Sequence, residues 1–212
     1  MPSFPVAASI FGGFFTTGNY IIDNFMPLWP FKKVSGESLA VSMAGVKLGD
    51  RLLVIGCSDP MLAAQLAGKT GLTGRAVAVD AREGMVATAA DVAAREGVLL
   101  ETITAPWNAL PDDNDSFDVV VVRDVLPYLD ATKRSWFLGE AHRVLRPGGR
   151  CLVIDGTAKK GIFAATRSEP VASDYAAAGG PVAILMTQGF KAARVLAERE
   201  GLLFAEAVKP AQ

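Results

Sequence analysis

The stretch LLVIGCSDP, Leu52 to Pro60, runs four apolar residues into a glycine and then into a short polar turn that ends in proline. An unbroken apolar run leaves no face for water, so it reads as a strand covered on both sides. Gly56 ends the strand, and Pro60 fits the first position of a helix, where its missing N–H has no intrahelical partner to lose. Strand, glycine turn and helix together open a βαβ unit, and the rest of the chain repeats the scheme.

Five runs read as strands: Arg51 to Ile55, Ala76 to Asp80, Leu99 to Thr104, Val119 to Arg123 and Arg150 to Asp155. The segment FDVVVV lacks alternation, as the first run does, and again implies cover on both faces. Helical patterns fall between them. PMLAAQLAGKTG starts at Pro60 and is expected to close on Gly68; REGMVATAADVAAREG carries Met85, Ala89, Val92 and Ala93 at helical spacing and stops at Gly97, with Arg95 in its last turn. In ATKRSWFLGEAHRVLRPGG the apolar stripe is Trp136, Phe137, Ala141, Val144 and Leu145. Strands alternating with helices predict right-handed crossovers and a doubly wound α/β domain with a mostly parallel sheet. The final GFKAARVLAEREGLLFAEAVKP breaks the alternation. Its two runs meet at Glu200-Gly201 with no room for a crossover helix, so they predict a closing hairpin and one antiparallel terminal strand. Gly179-Gly180-Pro181 marks a break, and VAILMTQ reads as a short helix.

Composition narrows the function classes. The chain has 212 residues, half of them hydrophobic, with 21 basic against 22 acidic side chains. One domain is expected at 46–212, preceded by an aromatic-rich segment at 1–45. The balanced charge offers no field for phosphate backbones, so no nucleic-acid partner is expected. Cys57 and Cys151 stand far apart, outside any paired thiol or histidine cluster, which fits a reducing cytoplasmic setting and no metal. The opening MPSFPVAASIFGGFF lacks a basic leader and is shorter than the roughly 20 residues a spanning helix needs. Its aromatics, among them Phe4, Phe11, Phe14, Phe15, Phe25, Trp29 and Phe31, suit a lid over a pocket, and contact with a membrane surface stays open. Oligomeric state is not legible.

Ligands of such sheets bind beyond the carboxyl ends of the strands, where the strand order reverses. Gly56, Cys57 and Ser58 follow the first strand, and Gly56 lets the backbone approach a ligand closely. Asp80 ends the second strand, where a carboxylate accepts from the two hydroxyls of a ribose; as a helix cap it would serve structure alone. The single histidine, His142, lies late in a helix that leads into the fifth strand, at the opposite edge, and reads as a packing residue. Cys57 reads as a small turn residue, and Tyr20, Tyr128 and Tyr175 as packing or substrate contacts. DDND, residues 112–115, reads as a solvated turn.

The order LLVIGCSDP, RAVAVDAREGM, LPDDNDSFDVVVVRDVLPYL, EAHRVLRPGGRCLVID resembles a class I S-adenosylmethionine-dependent methyltransferase, of the small-molecule kind that includes the ubiquinone/menaquinone biosynthesis enzymes. The resemblance spans Gly49 to Asp155 and continues weakly into QGFKAARVL and LLFAEAVKP. It implies a seven-stranded sheet, S-adenosylmethionine as cofactor and a small-molecule acceptor. It also implies roles. Gly56, Cys57 and Ser58 would form the turn under the methionyl group; Asp80 would hold the ribose; Ala81 and Met85 would flank the adenine on one side, Trp107 and Asn108 on the other; Arg123, with Asp124, would lie at the methionyl end. The chain departs from the family at Ser58 and Pro60, where glycines are usual, at Val54, which stands for an acidic anchor of the ammonium group, and at Pro106, which stands for the aspartate that accepts from the adenine amine. Two lost charge-assisted bonds at about 1.5–3 kcal/mol each weaken affinity by roughly two to four powers of ten unless others replace them. Trp107 by stacking, Asp59 or Asp124 at the ammonium and Ser58 at the carboxylate are the expected replacements. A relative that keeps the fold as a non-catalytic partner subunit is the alternative. An NAD-dependent oxidoreductase would require a G-x-G-x-x-G that GCSDPM does not supply.

Overall fold

The computed structural model describes residues 38–157 and 174–211. The aromatics of the expected lid, Phe4 to Phe31, and Tyr20 lie outside the described residues. The elements are α1 (Leu39–Ala44), β1 (Arg51–Ile55), α2 (Pro60–Thr70), β2 (Arg75–Asp80), α3 (Glu83–Glu96), β3 (Glu101–Thr104), β4 (Phe117–Arg123), a 3-10 turn over Leu126–Tyr128, α4 (Ala131–Val144), β5 (Leu145–Gly156), α5 (Asp174–Ala177), α6 (Gly180–Thr187), β6 (Lys191–Arg199) and β7 (Leu202–Val208). The described strands form one seven-stranded sheet in the order β3-β2-β1-β4-β5-β7-β6. Pairs among β1 to β5 are parallel, and β7 runs antiparallel to both β5 and β6. This is the doubly wound architecture expected from the sequence, including the hairpin at Glu200-Gly201.

The sheet separates two cores because successive strand residues point to opposite faces. Leu53, Ile55, Val77, Val79, Val120, Val122 and Val153 pack on one side with Phe137, Leu138, Ala141 and Leu185 of α4 and α6. Leu52, Val54, Ala78, Val119, Val121, Leu152 and Ile154 pack on the other with Val41 and Ala44 of α1, Leu62 and Leu66 of α2, and Ala89 of α3. Two-sided cover is the reason the strands lack alternation. Since α1 shares the second core, residues 39–44, grouped by sequence with the N-terminal segment, are packed on the domain.

Local details differ from the sequence reading at four places. Helix α2 passes Gly68 and ends at Thr70, with Gly71 at φ +64° as its stop, because Leu66, Ala67 and Thr70 all face the core. In α3 the buried stripe is Val86, Ala89 and Ala93, which leaves Met85 37% exposed. In α4 Leu138 takes the place expected for Trp136, which is 57% exposed. Leu145 belongs to β5, which absorbs the RPGG turn as an irregularity: its pairing with β4 jumps from Phe117–Leu145 to Val119–Arg150.

Candidate functional site

The strand order reverses between β1 and β4, whose carboxyl ends carry Gly56 and Arg123 side by side. Gly56 has φ +93°, and a Cβ there would lie 2.3 Å from the Arg123 carbonyl oxygen and 2.8 Å from Val125 Cγ2. Only glycine fits this turn without displacing backbone. The Gly56 N–H donates to the Val79 carbonyl at 2.9 Å, so the turn is tied to β2. Cys57 is buried and Ser58 exposed, and Asp59 caps α2 by accepting from the Leu62 N–H at 3.0 Å. Burial, reinforced by the Asp80 charge, pushes the Cys57 thiol up to about 12, the Arg82 charge opposing, so the thiol is neutral and serves packing.

Asp80 is fully buried at the end of β2. Its Oδ2 accepts from the Cys57 N–H at 2.8 Å and from Arg82 Nη2 at 2.9 Å. Its Oδ1 accepts from the Arg82 N–H and from Arg82 Nε, both at 2.9 Å. Burial disfavours the charge, yet the Arg82 side chain and the two backbone N–H groups outweigh it and hold the carboxyl below its usual range. The strand-end carboxylate therefore reaches the glycine turn through Cys57 and is ionised. Sequence reasoning passed over Arg82; an arginine two residues beyond a strand-end aspartate was the available signal.

At the ends of β4 and β5 a second cluster forms. Arg123, its side chain 12% exposed, donates from Nη1 to the Ile154 carbonyl at 3.4 Å and lies 3.1 Å from Asp124 Oδ2 and 3.9 Å from Asp59 Oδ2. Asp124, at φ +50°, accepts the Gly156 N–H at 2.6 Å. Asp59 and Asp124 thus already serve a helix cap and a strand end, and Arg123 faces both. Behind them Asp155 is buried and accepts from the Tyr175 hydroxyl at 2.5 Å, while its Oδ1 has no partner among the described residues. Burial, with the Asp124 charge, lifts the Asp155 carboxyl to about 7 against the pull of the Tyr175 bond and Arg123. Arg134 lies over the Tyr175 ring, 5.4 Å from its centroid, and pairs with Asp174.

The remaining expected residues divide. Ala81 and Met85 are exposed at the entrance to α3, close in sequence to Asp80. Trp107 and Asn108 follow β3 and line a pocket of about 170 Å³ with Leu129 and with Lys133, Trp136 and Phe137 of α4. The Trp107 indole N–H is buried without an acceptor among the described residues. The structure therefore joins Trp107 and Asn108 to α4 in this pocket. His142 packs edge-on against Phe190, 5.0 Å between ring centres, and burial, with Lys209 opposing Asp115, holds it below its usual range. It is a neutral packing residue, as its position in sequence suggested. In the DDND segment Asp113, Asn114 and Asp115 are exposed, as expected of a solvated turn, and only Asp112 is partly buried; Asp112 binds Arg75 at 2.7 Å, and Asp115 binds Lys209 at 2.7 Å.

Comparison with known proteins follows this geometry. Residues 52–149 match a methyltransferase domain family. The chain is 30% identical over 140 residues to the ubiquinone/menaquinone biosynthesis C-methyltransferase UbiE of Hydrogenovibrio crunogenus, covering 65% of this chain and 54% of that protein. It is 34% identical over 127 residues to the chloroplastic 2-phytyl-1,4-beta-naphthoquinone methyltransferase of Arabidopsis thaliana, covering 56% and 46%. The chain thus spans about half the length of the curated relatives it matches. A SAM dependent methyltransferase from Aquifex aeolicus has the same fold, with a TM-score of 0.65 at 21% identity over 80% of this chain and 87% of that one. Over residues 52–149 and in its fold, the chain thus resembles class I S-adenosylmethionine-dependent methyltransferases, among them those of the ubiquinone/menaquinone C-methyltransferase kind.

Proposed function

We propose that the chain transfers a methyl group from S-adenosylmethionine to a small hydrophobic acceptor with a quinone-like ring. The observation that carries this reading is the buried, ionised Asp80, joined through the Cys57 N–H to a turn that only glycine can make, beside the reversal of strand order. A carboxylate in that place suits a ribose, and the missing Cβ of Gly56 suits a chain of atoms laid against the backbone. The acceptor class rests on the names of the two curated relatives, a ubiquinone/menaquinone biosynthesis C-methyltransferase and a 2-phytyl-1,4-beta-naphthoquinone methyltransferase.

S-adenosylmethionine supplies a methyl group activated by the positive sulfur. The work left to the protein is placement and exclusion of water. Gly56 opens the space, Asp80 orients the ribose, and the Arg123–Asp124 pair fixes the ends of β4 and β5 beside it. Loss of the family aspartate at Pro106 leaves the adenine amine without that acceptor. This departure favours a second reading, a partner subunit that keeps the fold without catalysis.

Calorimetric titration with S-adenosylmethionine, its demethylated product and NAD separates the readings. Micromolar binding of the first two, weakened about ten-fold or more by Asp80→Ala, is expected. Absent or millimolar binding supports the partner subunit, and binding of NAD alone argues against both. For the N-terminal segment as lid, deletion of residues 1–29 is expected to lower acceptor methylation more than cofactor affinity; equal loss in both rejects the lid.

A further inference from the structure

A carboxylate offers about four lone-pair sites, and on Asp80 four donors already use them: the N–H groups of Cys57 and Arg82, and Nε and Nη2 of the Arg82 side chain. The backbone donors belong to the turn and to the entrance of α3 and stay in place. The guanidinium donors sit on a side chain that is 46% exposed and ends in a movable group. No acceptor capacity remains for a ribose while both are bound. Removing the guanidinium frees one site on each oxygen, the number that a vicinal diol needs.

We infer that Arg82 is a gate on the ribose site: its guanidinium competes with the two ribose hydroxyls for Asp80 and sets the affinity for the nucleoside cofactor. This rests on the reading of Asp80 as the ribose acceptor. Binding exchanges a bidentate ion pair for two neutral donors, so the apparent affinity carries the cost of parting Arg82 from Asp80. The contact also selects among ligands. A nucleoside with both hydroxyls can replace both bonds, whereas a 2′-deoxynucleoside replaces one and leaves an oxygen short of a donor.

The helix does not depend on the side chain. The Arg82 carbonyl accepts from the N–H groups of Met85 and Val86, at 3.0 and 3.2 Å, and no side-chain cap is made there. Substitution therefore leaves α3 its first turn. Arg82→Ala removes the gate, and Arg82→Gln keeps a neutral donor for Asp80 if the bare carboxylate proves too unstable to fold.

Titration of the full chain and both variants with S-adenosylmethionine and its demethylated product, by calorimetry, tests the gate. Arg82→Ala and Arg82→Gln are expected to bind on the order of ten-fold more tightly than wild type. Folded variants, checked by thermal melting, that bind equally or more weakly overturn the gate. If wild type binds and Asp80→Ala does not, the ribose assignment survives that result. If no protein, wild type or variant, binds either nucleoside, both the gate and the ribose assignment fail.

Discussion

Gly56 shows how far a single atom decides this site. Ala at φ +93° would hold a strained backbone and push its methyl group toward the Arg123 carbonyl. Gly56→Ala is expected to lose about 2–4 kcal/mol of stability in urea unfolding and to weaken nucleoside binding together with it. The residue types at strand ends were legible from sequence because a glycine or a carboxylate there has few uses. Gly56 and Asp80 were therefore singled out, and they stand at the ends of β1 and β2, while Arg82 was passed over: an arginine at a helix entrance reads as a solvated charge until the fold places a buried carboxylate under it. Either Asp59 or Asp124 was expected from sequence at the cofactor's ammonium group, and the structure engages the two with the Leu62 and Gly156 N–H groups.

Among the elements, α5 is held at the carboxyl edge by polar contacts: Tyr175 to Asp155, and Arg134 to Asp174. An Asp155 carboxyl near 7 in the folded chain, against an ordinary value of 3.8, carries a stability cost with a defined pH window. Below about pH 4 both folded and unfolded forms hold the proton and the cost is absent. As pH rises toward 7 the unfolded form ionises first, so stability falls, and above that it levels off. Asp155→Asn keeps an acceptor for Tyr175 and is expected to raise stability at pH 8 by about 2–4 kcal/mol and to flatten the profile between pH 4 and 7, as read from denaturant melts at a series of pH values. None of this was legible from sequence, since the pairing joins residues twenty apart across a segment with no periodic pattern. Helices α2, α3, α4 and α6 were legible while α1 and α5 were not, and the faces of the legible ones were only partly so. Leu138 competes with Trp136 for the inward side of α4, and the smaller, more easily buried side chain takes it.

Across the whole molecule, the doubly wound, mostly parallel class could be anticipated from alternation, because strands joined by right-handed crossover helices have few arrangements; the order of the strands was not anticipated. What alternation could not reveal is how much of the second core comes from the far end of the sequence. Phe204 of β7 is fully buried among residues of β1, β4 and β5. Phe204→Ala is expected to cost about 3–5 kcal/mol in chemical unfolding, whereas Trp136→Ala, on the rim of the Trp107 pocket, is expected to change stability by less than about 0.5 kcal/mol. The placement of β7 between β5 and β6 also bears on synthesis. β5 is complete at Gly156, but the strand that pairs with it ends only at Val208, and β6, made earlier, sits outside β7. At about 5–20 residues per second the open edge of β5 waits several seconds on the ribosome for its neighbour, an interval in which a chaperone or a second nascent chain has first access to it.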